Sequence, residues 1–350
     1  MDKTYLEDLK KLEEVTSSVP NTHLMSVGKI LMLVQMNMRY ENIMVNRKLD
    51  RHPYSIVQEY VRDALNFWKM WVEIGFIEEK GSNSLAVKES EMEAKHKDLF
   101  QSLWVNFSRE QYDERIANYE YRLDINDLGD GFLKNMRCID FGCGHGNFAH
   151  ALLRKGASFI LGIDYGENSI KYANRAREVL GVPDNKLTFK LGSVYATEQE
   201  EESFDFAVQN GVFHHLDDEK KAYMEVFRVL KPGGWFWIYT TGQDSIASDL
   251  WKVSTNILKD VPHDLVINLL SQLNISVGKR YHLGDALNAT YRRSNWEDLT
   301  TRLQSYGFVN FRRMVGGFPT DFDHDVIDTD TYGKDKFGAG DLRVLAQKKL

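Results

Sequence analysis

A run of glycines, two aspartates and a pair of histidines carry most of the chemistry this sequence can do. Cys138-Ile-Asp-Phe-Gly-Cys-Gly-His-Gly-Asn147 places Asp140 two residues before Gly142, and Gly142, Gly144 and Gly146 alternate through the rest of the segment. Glycines at that spacing let a backbone turn sharply and approach a ligand that side chains would exclude. A dinucleotide fingerprint needs G-x-G-x-x-G, with its third glycine packing a helix against the sheet. Asn147 stands in that place here. A carboxylate at Asp140 repels a pyrophosphate and suits an ammonium or a sulfonium. The next apolar run, Phe159-Ile-Leu-Gly-Ile163, ends in Asp164, where a carboxylate can accept hydrogen bonds from both hydroxyls of a ribose. His214 and His215 add imidazoles, which titrate near neutral pH and can take a proton from a nucleophile.

These groups need elements to hold them. Short apolar runs bounded by glycine read as buried strands, and Asn147 to Arg154 has helical spacing. From about residue 130 the order is strand, helix, strand, helix, strand, strand, helix, strand. Gly181 and Pro183 stop the helix that starts at Glu167, and Asp217 and Asp218 can cap the one ending at Leu230. Such alternation means a parallel sheet covered by helices on both faces, with ligands beyond the carboxyl ends of the strands.

At this point the sequence resembles the class I S-adenosylmethionine-dependent methyltransferases of the small-molecule type. Beyond the glycine loop and Asp164, Lys190-Leu-Gly-Ser-Val194 resembles the segment that meets the adenine. Phe204 to Leu216 resembles the fourth strand and the loop facing the methyl group, and Leu230-Lys-Pro-Gly-Gly234 resembles the turn into the fifth strand. The resemblance implies a Rossmann-like, doubly wound, seven-stranded α/β sheet, with S-adenosyl-L-methionine as cofactor and S-adenosyl-L-homocysteine as product. It implies cofactor contacts at Asp140, Gly142, Cys143, Gly144, Gly146, Asn147, Phe148, Asp164, Tyr165, Ser193, Val194, Asn210 and Gly211. The family often has an aspartate where Ser193 stands, so a hydroxyl replaces a carboxylate at the adenine. His215, followed by Leu216 as in the family's His-Leu pair, is the expected base, with His214 beside it. Tyr121, Tyr291 and Arg292 are expected on the substrate side, and Arg115 or Arg122 can pair with the cofactor carboxylate.

Composition bounds the rest. The 350 residues are 43% hydrophobic and 27% charged, with formal charge −7, a balance that favours neither nucleic acid nor an anionic membrane. No run of eighteen apolar residues or secretion signal appears in the sequence. Cys138 and Cys143, the only cysteines, read as packing residues in a reducing cytoplasm. Thr320-Asp-Phe-Asp-His-Asp325 lacks the glycine and distal glutamate of a calcium loop, so it reads as a solvated acidic loop and no metal is expected.

The expected domains are a helical one over residues 1–125, for lid formation or dimerisation, and a methyltransferase domain over 126–350 with an inserted helical cap at about 243–305. Helical spacing over 23–34 and 54–71, and a hairpin at 76–87, resemble a winged-helix unit, and the Met-rich and aromatic stripe suits a homodimer. The resulting expectation is methyl transfer to O, N or S of a small metabolite. The alternatives are a protein or other macromolecular acceptor, or a module that binds the cofactor without turnover.

Overall fold

The computed structural model describes residues 3–73, 109–129, 131–273 and 291–350, with isolated residues between 275 and 289. Residues 76–87, Trp104 and Phe107 lie outside the described residues. The chain divides into two compact units. One draws on Met1–Glu91, Gln243–Thr290 and Val326–Gly338, and the other on Met92–Gly242, Tyr291–Asp325 and Ala339–Leu350. This division cuts across a simple partition at residue 125: the segment after Gly242 belongs with the N-terminal helices.

In the first unit, α1 (Tyr5–Ser17), α2 (His23–Val45) and α3 (Pro53–Glu73) pack with α8 (Ile246–Ile257) and α9 (His263–Gln272) around Leu9, Leu12, Ile30, Trp68, Leu250 and Val266. Tyr5 Oη donates to Asp249 at 2.6 Å and Asn256 donates to Glu13 at 3.0 Å, which ties α8 to α1. Thr22 and Ser245 cap α2 and α8 by accepting amide hydrogen bonds in their first turns. Lys336, fully buried on the short α11 (Gly333–Phe337), donates to Asp330 at 2.8 Å and to the Asn46 carbonyl at 2.7 Å. No helix among the described residues is long and apolar enough to cross a membrane.

The second unit carries a seven-stranded sheet of order β3-β2-β1-β4-β5-β7-β6. Its strands are β1 (Arg137–Phe141), β2 (Phe159–Asp164), β3 (Leu187–Leu191), β4 (Phe204–Asn210), β5 (Leu230–Thr241), β6 (Phe308–Met314) and β7 (Asp341–Lys348). The first five pair in parallel, and β7 runs antiparallel between β5 and β6. This is the expected doubly wound sheet. The strands of the parallel part are joined through α5 (Asn147–Arg154), α6 (Glu167–Val179) and α7 (Glu219–Val229), the crossovers that parallel strands require. α4 (Arg109–Ile125) packs on α5, and α10 (Trp296–Ser305) leads into β6. Strand order reverses between β1 and β4, so the loops after those strands open a crevice. The Lys-Pro-Gly-Gly segment, expected as a turn before the fifth strand, is continuous with β5, and the β4–β5 register shifts between Phe204 and Phe206 to absorb it.

The run Thr320–Asp325 is a correction. Asp321 and Asp323 are buried, because two arginines from distant elements reach the first. Arg122 Nη2 on α4 and Arg343 Nη2 on β7 donate to Asp321 Oδ1 at 2.9 and 2.6 Å. Asp323 accepts from the Gly316 amide at 2.8 Å. The expected solvated acidic loop is an internal ionic anchor.

Candidate active site

A cavity of about 250 Å³ opens where the sheet order reverses, entirely within the second unit. The backbone of the glycine turn forms its floor. Gly142, at φ +73°, could not carry a side chain, since a Cβ would stand 2.6 Å from Val212. Gly144 adopts φ +51° and its Cβ position points into open space. A side chain there would fill the room that the turn leaves for a ligand.

Asp164, at the carboxyl end of β2, is the best-oriented polar group in this wall. Its Oδ2 accepts from the Gly144 amide at 2.9 Å and its Oδ1 from the Gly166 amide at 2.8 Å. Burial raises its pKa, and these two amides pull it back toward the ionised form. Each oxygen retains a lone pair for a hydroxyl, so the carboxylate is set to receive a vicinal diol. Asp140, one strand away on β1, differs. It is buried behind the turn, and its Oδ2 accepts no hydrogen bond among the described residues. Burial, and then the nearby Asp164, push its pKa up to about 8.

Of the residues expected at the cofactor, Gly142, Cys143, Gly144, Asn147, Asp164, Tyr165, Ser193, Val194, Asn210 and Gly211 share the cavity wall. Asp140, Gly146 and Phe148 do not line it. A Cβ on Gly146 would strike the Phe189 ring at 2.3 Å, so this glycine serves close packing behind the turn. Phe148 is sandwiched in the core, stacked on Tyr119 at 4.5 Å and edge-on to Trp237 at 5.4 Å. Cys143 is a free thiol whose pKa burial pushes well up, which makes it an inert wall residue.

The opposite end is formed by the loop after β4. Gln209 Oε1 accepts from the Val212 and Phe213 amides at 3.1 and 3.3 Å, which folds the chain into a 3-10 turn over Phe213–His215. His215 lines the cavity and His214 stands behind it, with Nε2 to Nε2 at 3.0 Å. Tyr291 lies against both imidazoles, its ring centroid 5.1 Å from that of His214 and 4.6 Å from that of His215. Arg292 donates through its backbone amide to the His214 carbonyl at 2.8 Å and through its guanidinium to the Asp217 carbonyl. Tyr291 and Arg292 therefore brace the histidine loop and are not part of the cavity wall. Tyr121 falls two residues after Tyr119 on α4, which turns it to another face, where it meets Phe318 at 5.4 Å.

Arg115 and Tyr119 reach the cavity from α4, whereas Arg122 is committed to Asp321 and the Gly316 carbonyl. Asn210 Nδ2 donates to Tyr119 Oη at 3.4 Å, and its Oδ1 accepts from Trp237 Nε1 at 3.3 Å. His145, Gly166, Ser169, Tyr195, Val212 and Leu216 also stand in the wall, and sequence reasoning does not single them out. Gly166 and Ser169 sit at the start of the helix after Asp164, a position that the strand-end rule could have flagged. His145 stacks on Tyr172 at 4.3 Å, and burial lowers its pKa to about 4, so it faces the cavity neutral.

Fold and site together place a cavity with a diol-ready carboxylate at the switch point of the sheet. A methyltransferase-domain family model matches residues 132–284. The sterol 24-C-methyltransferase erg6 of Aspergillus fumigatus is 28% identical over 199 residues, covering 55% of this chain and 48% of that protein. The ubiquinone biosynthesis O-methyltransferase of Paracidovorax citrulli is 34% identical over 116 residues, covering 33% of this chain and 48% of that protein. Squalene methyltransferase 1 of Botryococcus braunii is 33% identical over 132 residues, covering 35% of this chain and 33% of that protein. The chain carries an S-adenosylmethionine-dependent methyltransferase domain over residues 132–284. It spans about half the length of the first of these relatives.

The residues present fit that cofactor. Asp164 could receive the ribose diol, and the Gly144 backbone leaves room for a close approach. One layer behind, the buried Asp140 keeps an oxygen that accepts no hydrogen bond among the described residues, and a cation bound nearby would favour its ionised form.

Proposed function

We propose that the chain transfers a methyl group from S-adenosylmethionine to an oxygen, nitrogen or sulfur atom of a small metabolite. One observation carries the reading: a single cavity holds a carboxylate poised for a diol at one end and an imidazole at the other. When bound, the cofactor supplies a methyl group already activated as a sulfonium. Asp164 and the Gly144 backbone would hold its nucleoside part, and Ser193 and Val194 would meet the adenine. His215 would take the proton of the acceptor, leaving that atom an electron pair for the methyl carbon that the bound cofactor would supply, with the neutral thioether as leaving group. The neutral His145 adds no positive charge to this wall.

A second reading, a carbon acceptor, draws on the names of the sterol and squalene relatives. There the π electrons of an alkene would form the bond to methyl, and His215 would take a proton from the carbon next to the resulting cation.

Incubating the full chain with metabolite pools and methyl-labelled cofactor, followed by mass spectrometry of labelled products, tests both readings. A labelled small molecule is the expected result, and label only in protein would overturn it. His215→Ala is expected to lower turnover by about 10²-fold with cofactor affinity unchanged. An unchanged rate removes the base role.

We further propose a cytoplasmic homodimer built on the helical unit. Leu24, Leu31, Met38 and Val45 are exposed at seven-residue intervals along α2, an apolar stripe that a second copy would cover. Light scattering should give twice the 40.5 kDa chain mass, and Leu31→Glu with Met38→Glu should return it to the monomer value. A monomeric wild type overturns this.

A further inference from the structure

The base proposed above does not stand alone: it is the first of a line of three side chains. His215 Nε2 lies 3.0 Å from His214 Nε2, and His214 Nδ1 lies 3.0 Å from Thr240 Oγ1 on β5. All three are buried, and of the three only His215 lines the cavity. The contact between the two rings fixes their protonation. Two nitrogens at hydrogen-bond distance share one hydrogen, since two bare lone pairs or two facing N–H groups would repel. The second imidazole therefore cannot become doubly protonated at the same time as the first.

We infer that His214 and Thr240 are positioning residues that set the proton affinity of His215, the three titrating as one unit. In the arrangement that makes His215 a base, His214 carries its hydrogen on Nδ1 and gives it to Thr240 Oγ1, while His215 Nε2–H donates to His214 Nε2. A proton arriving from the acceptor at His215 Nδ1 lets the shared hydrogen cross to His214. The charge then rests on an imidazolium whose Nδ1–H is already received by the threonine oxygen. Nothing is oxidised, and one proton enters while one hydrogen shifts along the line. The 3-10 turn braced by Gln209 and the Arg292 amide on the His214 carbonyl hold the geometry. Among the described residues, the titratable and charged groups around the pair include Asp217 in the same loop, Tyr291 against both rings, Arg292 on the Asp217 carbonyl and Arg293 over the Tyr291 ring. At the start of α7, Glu219 is paired with Arg302 at 2.8 Å. The threonine hydroxyl takes the place that a carboxylate holds behind the histidine of a catalytic triad.

This inference rests on the reading of His215 as base, and its test is separable from that reading. Full-length protein with 15N-labelled histidine is titrated by NMR from pH 8.5 to 4.5, with His214→Gln and His215→Gln used for assignment. The expected result is uptake of a single proton shared by the two rings across that range. Thr240→Val is expected to lower the midpoint by about one pH unit, the size of losing one hydrogen bond to a charged group. Thr240→Ser should restore the wild-type midpoint. In the methyl-transfer assay, Thr240→Val should shift the acid limb of kcat without changing KM for the cofactor. Calorimetric binding of S-adenosylhomocysteine reports that the variants are folded. Independent protonation of the two rings, or a Thr240→Val midpoint equal to wild type, overturns the inference. An active His215→Ala with a coupled titration would instead overturn the base reading and leave the unit standing.

Discussion

At one end of the cavity Asp164 is gripped by the backbone amides of Gly144 and Gly166, the first in the turn after β1 and the second just beyond its own strand. At the other end His215 is held by side chains, through His214 to Thr240 on β5, with Tyr291 and Arg292 arriving from a segment some 75 residues further along the chain. The first end depends on glycines and strand ends, features shared by any chain that folds this sheet. The second depends on particular side chains meeting across the fold. A cofactor common to a whole family is suited to the first kind of construction, and an acceptor that differs between members is suited to the second.

The largest effect expected from this contrast is at the carboxylate end. Asp164→Ala removes both oxygens facing the diol and leaves the Gly144 and Gly166 amides without their acceptor. Affinity for S-adenosylhomocysteine should fall by about 10²-fold or more, since hydrogen bonds to charged groups contribute about 1.5–3 kcal/mol each. Calorimetry should show that loss, whereas His215→Ala should bind the cofactor as the wild type does. Equal losses in the two variants would break the division into a cofactor end and an acceptor end.

The same contrast explains which features are legible in the sequence. The β-α alternation, the glycine turn, Asp164 and the His214-His215 pair are local patterns, and the structure brings Asp164 and His215 into one cavity. Thr240 gives no signal, being the middle of three hydroxyl residues, Tyr239–Thr241, at the end of β5, with its partner 26 residues away. The acidic run at 320–325 misleads for a related reason: composition cannot distinguish a solvated carboxylate from one that meets Arg122 and Arg343, 199 and 22 residues distant. Phe148 and Gly146 sit in the right motif, but the turn of α5 directs them into the core. Tyr121 stands two positions along a helix from the cavity-lining Tyr119, enough to change its face.

An intermediate effect is expected where the two aspartates differ. Asp164 has its charge compensated by amides, and Asp140 has its pKa pushed up to about 8 by burial and by Asp164. A folded-state pKa above the unfolded value of an acid means that the folded protein holds the proton more tightly. Stability is then intact at low pH and is lost progressively as pH rises from about 4 through 8. Asp140→Asn should therefore stabilise the cofactor-free protein near pH 8, an effect that shrinks toward zero near pH 4. Denaturant melts at the two pH values measure it. A gap that does not depend on pH would show that Asp140 is ionised and compensated, as Asp164 is.

The smallest effect separates two glycines of one turn. Gly144→Ala places a Cβ where nothing lies within 4 Å, so the folded protein should lose only about 1 kcal/mol for holding alanine at φ +51°. Gly146→Ala meets the Phe189 ring at 2.3 Å as well as a φ of +81°, so overpacking adds about 1–3 kcal/mol to that backbone cost. Their effects on binding should run the other way. The Gly144 methyl group enters the cavity beside the Asp164 carboxylate and should weaken S-adenosylhomocysteine about tenfold, a loss of about 1.4 kcal/mol. Gly146, outside the wall, should bind nearly as wild type wherever the variant remains folded. Thermal melts paired with calorimetry on the two variants give both quantities. If Gly144→Ala bound the cofactor as tightly as wild type, the ligand would not pass over that turn, and the fit of the glycine loop to the cofactor would be lost.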